Sequence, residues 1–166
     1  MTPLPLLQQR EIEARVIAPL YRAFAAEVGE ERAREILAGV IRDLAVQAGC
    51  LAAASGNDLA HLKQTVARWT EGGALELTVL RDDVEVFHFN VTRCRFAEMY
   101  HRLGLADLGP LLSCNRDGAM IDGFNPEIEF TRTQTIMEGA AHCDFRYALD
   151  RSRTRTPGTS RDPTRE

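Results

Sequence analysis

The sequence predicts an α+β fold in which N-terminal amphipathic helices pack on an antiparallel sheet made of two hairpins, with two helices inserted between the hairpins. Three observations lead to this prediction. Before residue 72, apolar residues recur every three or four positions, the period of a helix with one buried face. From residue 75, two separate pairs of segments alternate apolar and polar residues, as half-buried strands do. Between these pairs the helical period returns.

The composition is that of an ordinary globular chain of 166 residues, with 45% apolar and 27% charged residues. This length fits one domain, which we expect over residues 1–149. The segment 150–166 is rich in Arg and has no apolar side chain apart from Pro. We expect it to be a disordered tail. A net charge of -4 provides no basic surface for nucleic acid, so nucleic-acid binding is not expected.

The remaining composition argues for a cytoplasmic protein. The N-terminus has no basic segment followed by an apolar one, as a secretory signal would, and no continuous apolar run suggests a membrane span. The four Cys residues are widely separated, without a Cys-x-x-Cys pair, so we expect reduced thiols rather than disulfides. We therefore predict no membrane partner.

Three helices are predicted before the first strand. The first spans residues 6–28 and ends at Gly29, and the second spans 31–48 and ends at Gly49. The third begins at an Asn or Asp cap and runs through residues 59–69. The positions expected to form the apolar faces are Ile12, Val16, Leu20, Phe24 and Val28 in the first helix and Ala33, Ile36, Leu37, Val40, Ile41, Leu44, Ala45 and Ala48 in the second.

The first hairpin and the two inserted helices follow. Residues 75–79 alternate as a strand, residues 81–83 form a turn, and residues 84–91 return as the paired strand. A helix is then predicted over about 93–103. The next helix starts at Asp107 and carries the polar residues discussed below.

The second hairpin is predicted from residues 127–137 and 142–149 around the turn 138–141. In the second strand, Cys143 alternates in phase with the aromatic residues, so we expect it to point into the core. In the first strand, one face is expected to carry Ile128, Phe130, Arg132, Gln134 and Ile136.

The helix that starts at Asp107 carries the main candidate site. Cys114, Asn115, Arg116 and Asp117 bring a thiol, an amide, a guanidinium and a carboxylate into four consecutive positions between apolar segments. Polar groups near a core cost free energy unless they are satisfied, so a helix that only packs does not need this set. The alternative is a partly exposed helix whose Cys is simply a small buried residue.

Nucleophilic catalysis at Cys114 is the first of three interpretations. The thiolate is the reactive form, and an ordinary thiol needs a nearby cation or base to reach it at neutral pH. The candidates for this help are Arg116, Arg132 and His142, and the candidates for proton transfer are Asp117 and Glu138.

A metal site and a site without catalysis are the other two interpretations. Cys94, Glu98 and His101 share one stripe of a predicted helix, and Cys114 and Cys143 could join them as zinc ligands. This spacing matches no familiar metal motif, and we expect no metal and no cofactor. The third interpretation is a small-molecule sensor or packing module whose Cys residues belong to the core.

Three segments carry a resemblance to a known family. They are VTRCRFAEMYHRLGL (91–105), LGPLLSCNRDGAMIDGFNP (108–126) and TRTQTIMEGAAHCDFRY (131–147). They resemble the L-2-amino-thiazoline-4-carboxylic acid hydrolase family, and the likeness covers roughly residues 8–149. The end of the third segment is also similar to vinyl-reductase-type small-molecule-binding domains, which fits the α+β prediction.

The resemblance implies hydrolysis of a cyclic isothiourea to a carbamoyl-cysteine, with a small-molecule substrate as the partner and self-association left open. Cys114 would attack the amidine carbon, while Asp117 or Glu138 would bind the amidinium and transfer protons. A bidentate guanidinium suits the substrate carboxylate. The other residues given a role are Arg116 or Arg132 for that carboxylate, Asn115 and Thr133 as hydrogen-bond donors, and Cys94 and Cys143 as pocket thiols or replacement nucleophiles. The alternatives are a non-catalytic sensory module of the same fold and a Cys/His metal-dependent hydrolase.

Overall fold

The computed structural model describes residues 4–150, and within them the chain forms five α-helices and one four-stranded sheet. The prediction of an α+β fold is confirmed. The helices are α1 (Leu6–Val28), α2 (Glu30–Ala52), α3 (Leu59–Trp69), α4 (Arg95–Arg102) and α5 (Asn115–Phe124); the strands are β1 (Leu75–Asp82), β2 (Val86–Cys94), β3 (Ile128–Thr131) and β4 (Cys143–Leu149). The predicted tail lies outside the described residues, apart from Asp150.

The two predicted hairpins join into one antiparallel sheet with the order β1-β2-β4-β3. The central strands β2 and β4 place Phe89 opposite Phe145 and Val91 opposite Cys143. The two Phe rings stack with their centroids 5.0 Å apart and are buried, as is Tyr147. Burial of these rings fixes which face of the sheet meets the helices.

The predicted strand over 127–137 is correct only as far as Thr131. Beyond it, the Asp144 carboxylate accepts hydrogen bonds of 2.9 Å from the backbone N–H groups of Thr133 and Gln134. These bonds satisfy donors that a strand would direct at a neighbouring strand, so the chain leaves the sheet. The expectation that the polar residues after 131 share a strand face with the preceding aromatic residue is therefore wrong.

Helix α2 does not end at Gly49, as predicted, but continues to Ala52. Gly49 is buried against α5, and a Cβ atom there would lie 2.0 Å from the carbonyl oxygen of Met120. From the other side, a Cβ atom on Gly123 would lie 2.0 Å from the carbonyl oxygen of Val46. The two glycines thus allow the backbones of α2 and α5 to touch, which is why Gly49 occurs inside a helix.

The predicted inward face of α1 is also wrong. Its buried side chains are Ala14, Ala18, Tyr21 and Ala25, whereas the large residues that recur every fourth position are exposed. In α2, Ala33, Ile41 and Ala45 are buried, while Ile36, Val40 and Leu44 are exposed. The two helices therefore pack through mainly small residues and turn many of their larger ones outward.

Both inserted helices begin later than predicted, the first of them because β2 continues to Cys94. The Cys94 thiol accepts a hydrogen bond of 3.4 Å from the backbone N–H of Ala97 and so caps α4. The helix predicted from Asp107 begins as one π-helical turn over Pro110–Cys114 and continues as α5. Such turns are rare and frequently occur at functional sites.

Candidate active site

A cavity of about 530 Å³ lies among α2, α3, α5, the sheet and the N-terminal turns of α1. This volume is within the range of pockets that bind small molecules. The walls are mostly apolar and include Trp69, Val91, Phe96, Met120, Met137 and Phe145; the charged groups on them include Arg10, Arg116, Asp117 and Arg132.

Asp117 and Arg132 form an ion pair on the cavity wall. The Arg132 guanidinium donates to the Asp117 carboxylate and, over 3.1 Å, to the carbonyl oxygen of Cys114. It also lies 5.7 Å and 5.4 Å from the ring centroids of Phe130 and Phe145. The side chains of Asp117 and Arg132 are only 22% and 15% exposed. These contacts hold both charges in a largely apolar setting.

Burial raises the pKa of Asp117 to about 6, although the positive charge of Arg132 opposes this effect. The group is therefore mainly a carboxylate at neutral pH. It is also a stronger base than an ordinary Asp.

Cys114 is the last residue of the π-helical turn and lies three residues before Asp117. Both residues line the cavity. Burial raises the pKa of the Cys114 thiol well above its ordinary range, and the negative charge of Asp117 raises it further. The thiol is therefore protonated at neutral pH. A reaction at this sulfur requires a base to remove its proton.

Cys94 and Cys143 line the same cavity. Burial raises the pKa of Cys94 to about 11 and also raises that of Cys143. The Cys143 sulfur accepts a hydrogen bond of 3.2 Å from the backbone N–H of Ile136. The thiols of Cys94, Cys114 and Cys143 thus line one cavity, and burial raises the pKa of each.

The structure does not place three other predicted site residues on the wall of this cavity. The Glu138 carboxylate is exposed and accepts a hydrogen bond of 2.6 Å from the Thr135 hydroxyl. Thr133 is exposed and donates from its hydroxyl to Asp144 over 2.7 Å. The Asn115 amide points to α2, where it donates over 3.2 Å to the carbonyl oxygen of Ala38. These contacts stabilise loops and helix packing.

Arg116, another predicted site residue, lines the cavity and belongs to a second charged group. It donates to the Leu112 carbonyl oxygen over 2.8 Å and to the Glu13 carboxylate over 3.2 Å. Arg10, which the sequence analysis missed, donates to the same carboxylate over 2.6 Å and lines the cavity beside Arg116. Arg10 precedes Ala14 by one turn, so the stripe of small residues in α1 was the signal that could have located it.

The three residues considered as alternative zinc ligands, Cys94, Glu98 and His101, do not converge on one point. Glu98 accepts a hydrogen bond of 2.7 Å from Arg93, and His101 is exposed, whereas Cys94 faces the cavity. Within residues 4–150, no three His, Cys, Asp or Glu side chains are arranged to hold a metal ion.

Comparison with known proteins identifies the family. No curated protein matches the chain. Among solved structures, the chain is similar to the crystal structure of the phenol-responsive sensory domain of the transcription activator PoxR with phenol. The TM-score is 0.49 at 18% sequence identity, over 81% of this chain and 73% of that chain. Residues 9–147 match the sequence pattern of a family of hydrolases, which is most of the chain. The chain therefore belongs to the L-2-amino-thiazoline-4-carboxylic acid hydrolase family.

Proposed function

We propose that the chain hydrolyses a cyclic isothiourea and opens 2-amino-thiazoline-4-carboxylate to a carbamoyl-cysteine. The observation that carries this proposal is the largely buried Asp117–Arg132 ion pair beside Cys114 on the cavity wall. Membership of the family supplies the substrate class.

The ion pair is complementary to the charges of this substrate. The ring of 2-amino-thiazoline-4-carboxylate carries an amidine, which is cationic when protonated, and a carboxylate. Asp117 would bind the amidinium and Arg132 would bind the carboxylate through two parallel hydrogen bonds. Each buried charge then exchanges one partner for another instead of losing it, which keeps the cost of binding low. Arg116 and Arg10 offer a second carboxylate site on the same cavity wall.

Asp117 would also act as the base that Cys114 requires. In the first step the thiol proton passes to the Asp117 carboxylate, and the sulfur forms a bond to the amidine carbon. A ring bond at that carbon breaks, and the departing ring atom takes the proton from Asp117. Ring opening loses no atoms, so the enzyme carries the whole substrate as a covalent adduct.

Water completes the reaction. It attacks the same carbon, its oxygen becomes the carbamoyl oxygen, and the Cys114 sulfur leaves and recovers its proton. Cys94 and Cys143, which line the cavity, would shape the site around the ring and are second candidates for the nucleophile.

A second candidate function is a ligand-binding module without turnover. The raised pKa values of all three cavity thiols favour it, because protonated thiols are weak nucleophiles. Mostly apolar walls with a few polar groups are also sufficient to bind a ligand.

One experiment distinguishes the two functions. The purified chain is incubated with 2-amino-thiazoline-4-carboxylate, loss of the thiazoline and appearance of carbamoyl-cysteine are followed, and binding is measured by calorimetry. We expect binding and catalytic turnover. Binding without product would support the second function, and absence of both would overturn the proposed substrate.

A further inference from the structure

Helices α1 and α2 each expose a row of large apolar side chains, and we name the two rows together the hairpin face. Their exposed fractions range from 37% for Ile36 to 78% for Leu51. The hairpin face consists of Ile12, Val16, Leu20, Phe24 and Val28 in α1 and Ile36, Val40, Leu44 and Leu51 in α2.

The two rows lie on neighbouring helices, because α1 and α2 contact each other. They are joined by the single residue Gly29. Further along, neighbouring residues of α5 contact both helices: Arg116 binds Glu13 of α1, and Asn115 binds Ala38 of α2. The exposed stripes therefore lie on two adjacent helices of one helical hairpin.

The summed exposed area of the two rows exceeds that of the largest apolar patch on a typical monomer. The exposed fractions of the nine side chains correspond to roughly 900 Å². The largest apolar patch on a typical monomer is about 300–600 Å². Each partner in a standard protein–protein interface contributes about 800 Å². The hairpin face is thus about the size of one side of a stable interface.

The charges of the two helices favour a second copy of this chain over a lipid surface. Together α1 and α2 carry six Arg and seven acidic residues, so two such faces can meet without accumulating charge. Helices that lie on membranes usually have a strongly basic polar face.

By length and composition, α2 also qualifies as a membrane span, and it is the one such helix within residues 4–150. However, the contacts of Gly49 and Gly123 attach its inner side to α5. This attachment keeps α2 in the folded domain.

We propose that the hairpin face is a dimer interface, on which the α1–α2 hairpin of a second copy packs by two-fold symmetry. In a two-fold dimer the same patch serves both partners, which suits a self-complementary, nearly neutral apolar face. The result is a four-helix bundle made of two hairpins packed face to face, a common way to bury amphipathic helices. The α1 and α2 residues on the cavity wall, such as Arg10 and Ala45, are not part of the hairpin face, so the dimer leaves them free to serve the cavity.

The test is the molecular mass of the full chain in solution. Sedimentation velocity at micromolar concentrations should give a dimer for the wild type. The double variant Leu20→Glu/Val40→Glu alters side chains that are 64% and 51% exposed, so each subunit should fold normally, as far-UV circular dichroism will show. We expect its dimer to dissociate at least about 30-fold more readily, the effect of losing one interface hot spot.

The matched control is Val84→Glu, which alters an 83% exposed apolar residue in the turn between β1 and β2, outside the hairpin face. It should remain dimeric. A monomeric wild type at tens of micromolar, or a folded double variant that dimerises as well as the wild type, would overturn the proposal. A monomer that co-sediments with phosphatidylcholine–phosphatidylserine vesicles would assign the face to membranes instead.

Discussion

Asp117 sets the pH range in which the cavity can react, because its carboxylate must accept the proton of Cys114. Its pKa is raised to about 6, so the reactive carboxylate form is lost as the pH falls through that value. We predict that the turnover rate decreases below about pH 6 and that Asp117→Asn reduces it by at least about 100-fold, the lower end of the contribution of a general base. The control is Asp122→Asn, which removes an exposed carboxylate from the same helix.

The same titration gives a slope of stability with pH. Because burial raises the pKa of Asp117 from 3.8 in the unfolded chain to about 6, the folded protein retains a proton that the unfolded chain has lost. The stabilisation from this proton is fully present below the pKa of Asp117 in the unfolded chain. It is lost, and the free energy of unfolding falls, as the pH rises through about 6. This slope should be absent in Asp117→Asn, as measured by urea unfolding between pH 4 and pH 7. Equal slopes in the wild type and in Asp117→Asn would show that folding does not raise the pKa of Asp117.

The four thiols should react with iodoacetamide in an order set by exposure and pKa. Cys50 is exposed and should be labelled first at pH 7, whereas burial protects Cys143 and holds the pKa values of Cys94 and Cys114 high. Peptide mass spectrometry after timed labelling measures the order. Fast labelling of Cys114 in the free protein would mean that its thiolate forms without help from Asp117.

At the residue scale, the sequence was informative where chemically distinct groups are adjacent. Cys114, Arg116 and Asp117 are close in sequence, and all line the cavity. Arg132, which directly follows β3, joins them on the cavity wall and was also a candidate from the sequence. Glu138 could not be excluded from sequence, because its position depends on a local turn that binds its carboxylate to Thr135.

At the element scale, the contact between α2 and α5 depends on two glycines. A Cβ atom on Gly123 would lie 2.0 Å from a backbone carbonyl oxygen, which cannot move aside as a side chain can. We predict that Gly123→Ala lowers the free energy of unfolding by at least about 2 kcal/mol through overpacking, as measured by chemical denaturation.

Gly118→Ala is the matched control in the same helix. Its Cβ atom would lie 3.4 Å from the Phe130 ring, an ordinary contact. This variant should be neutral or gain up to about 1 kcal/mol, because Ala favours helix over Gly. Equal effects of the two substitutions would contradict the close approach of the helices.

The element order was predictable because each segment shows its own hydrophobic period, and both hairpins were found for that reason. The inward face of α1 was not predictable from its largest residues. That helix has two periodic stripes, one of small residues and one of large residues. The stripe of small residues, which includes Ala14 and Ala18, is buried, whereas the stripe of large residues, which includes Leu20, is exposed. The period alone does not say which stripe meets the domain core. The end of β3 depends on Asp144, a contact 11 residues away from Thr133.

At the scale of the whole molecule, the cavity is lined by residues from several helices and from the sheet. Arg10 comes from α1, Trp69 from α3, Asp117 from α5 and Phe145 from β4, so no single segment of sequence contains the site. The sequence identified most of the reactive and charged side chains of the site. The cavity volume of about 530 Å³, and which charged side chains line the cavity, depend on how the helices and the sheet pack.

The most direct test of the account is the steady-state rate of thiazoline ring opening by the wild type, Cys114→Ser and the matched control Cys50→Ser. Cys50 is exposed and lies outside the cavity wall. We predict that Cys50→Ser retains the wild-type rate, and that Cys114→Ser loses at least about 100-fold while still binding the substrate, because a Ser hydroxyl is a far weaker nucleophile in this site. Ring opening by Cys114→Ser at the wild-type rate would contradict the central claim.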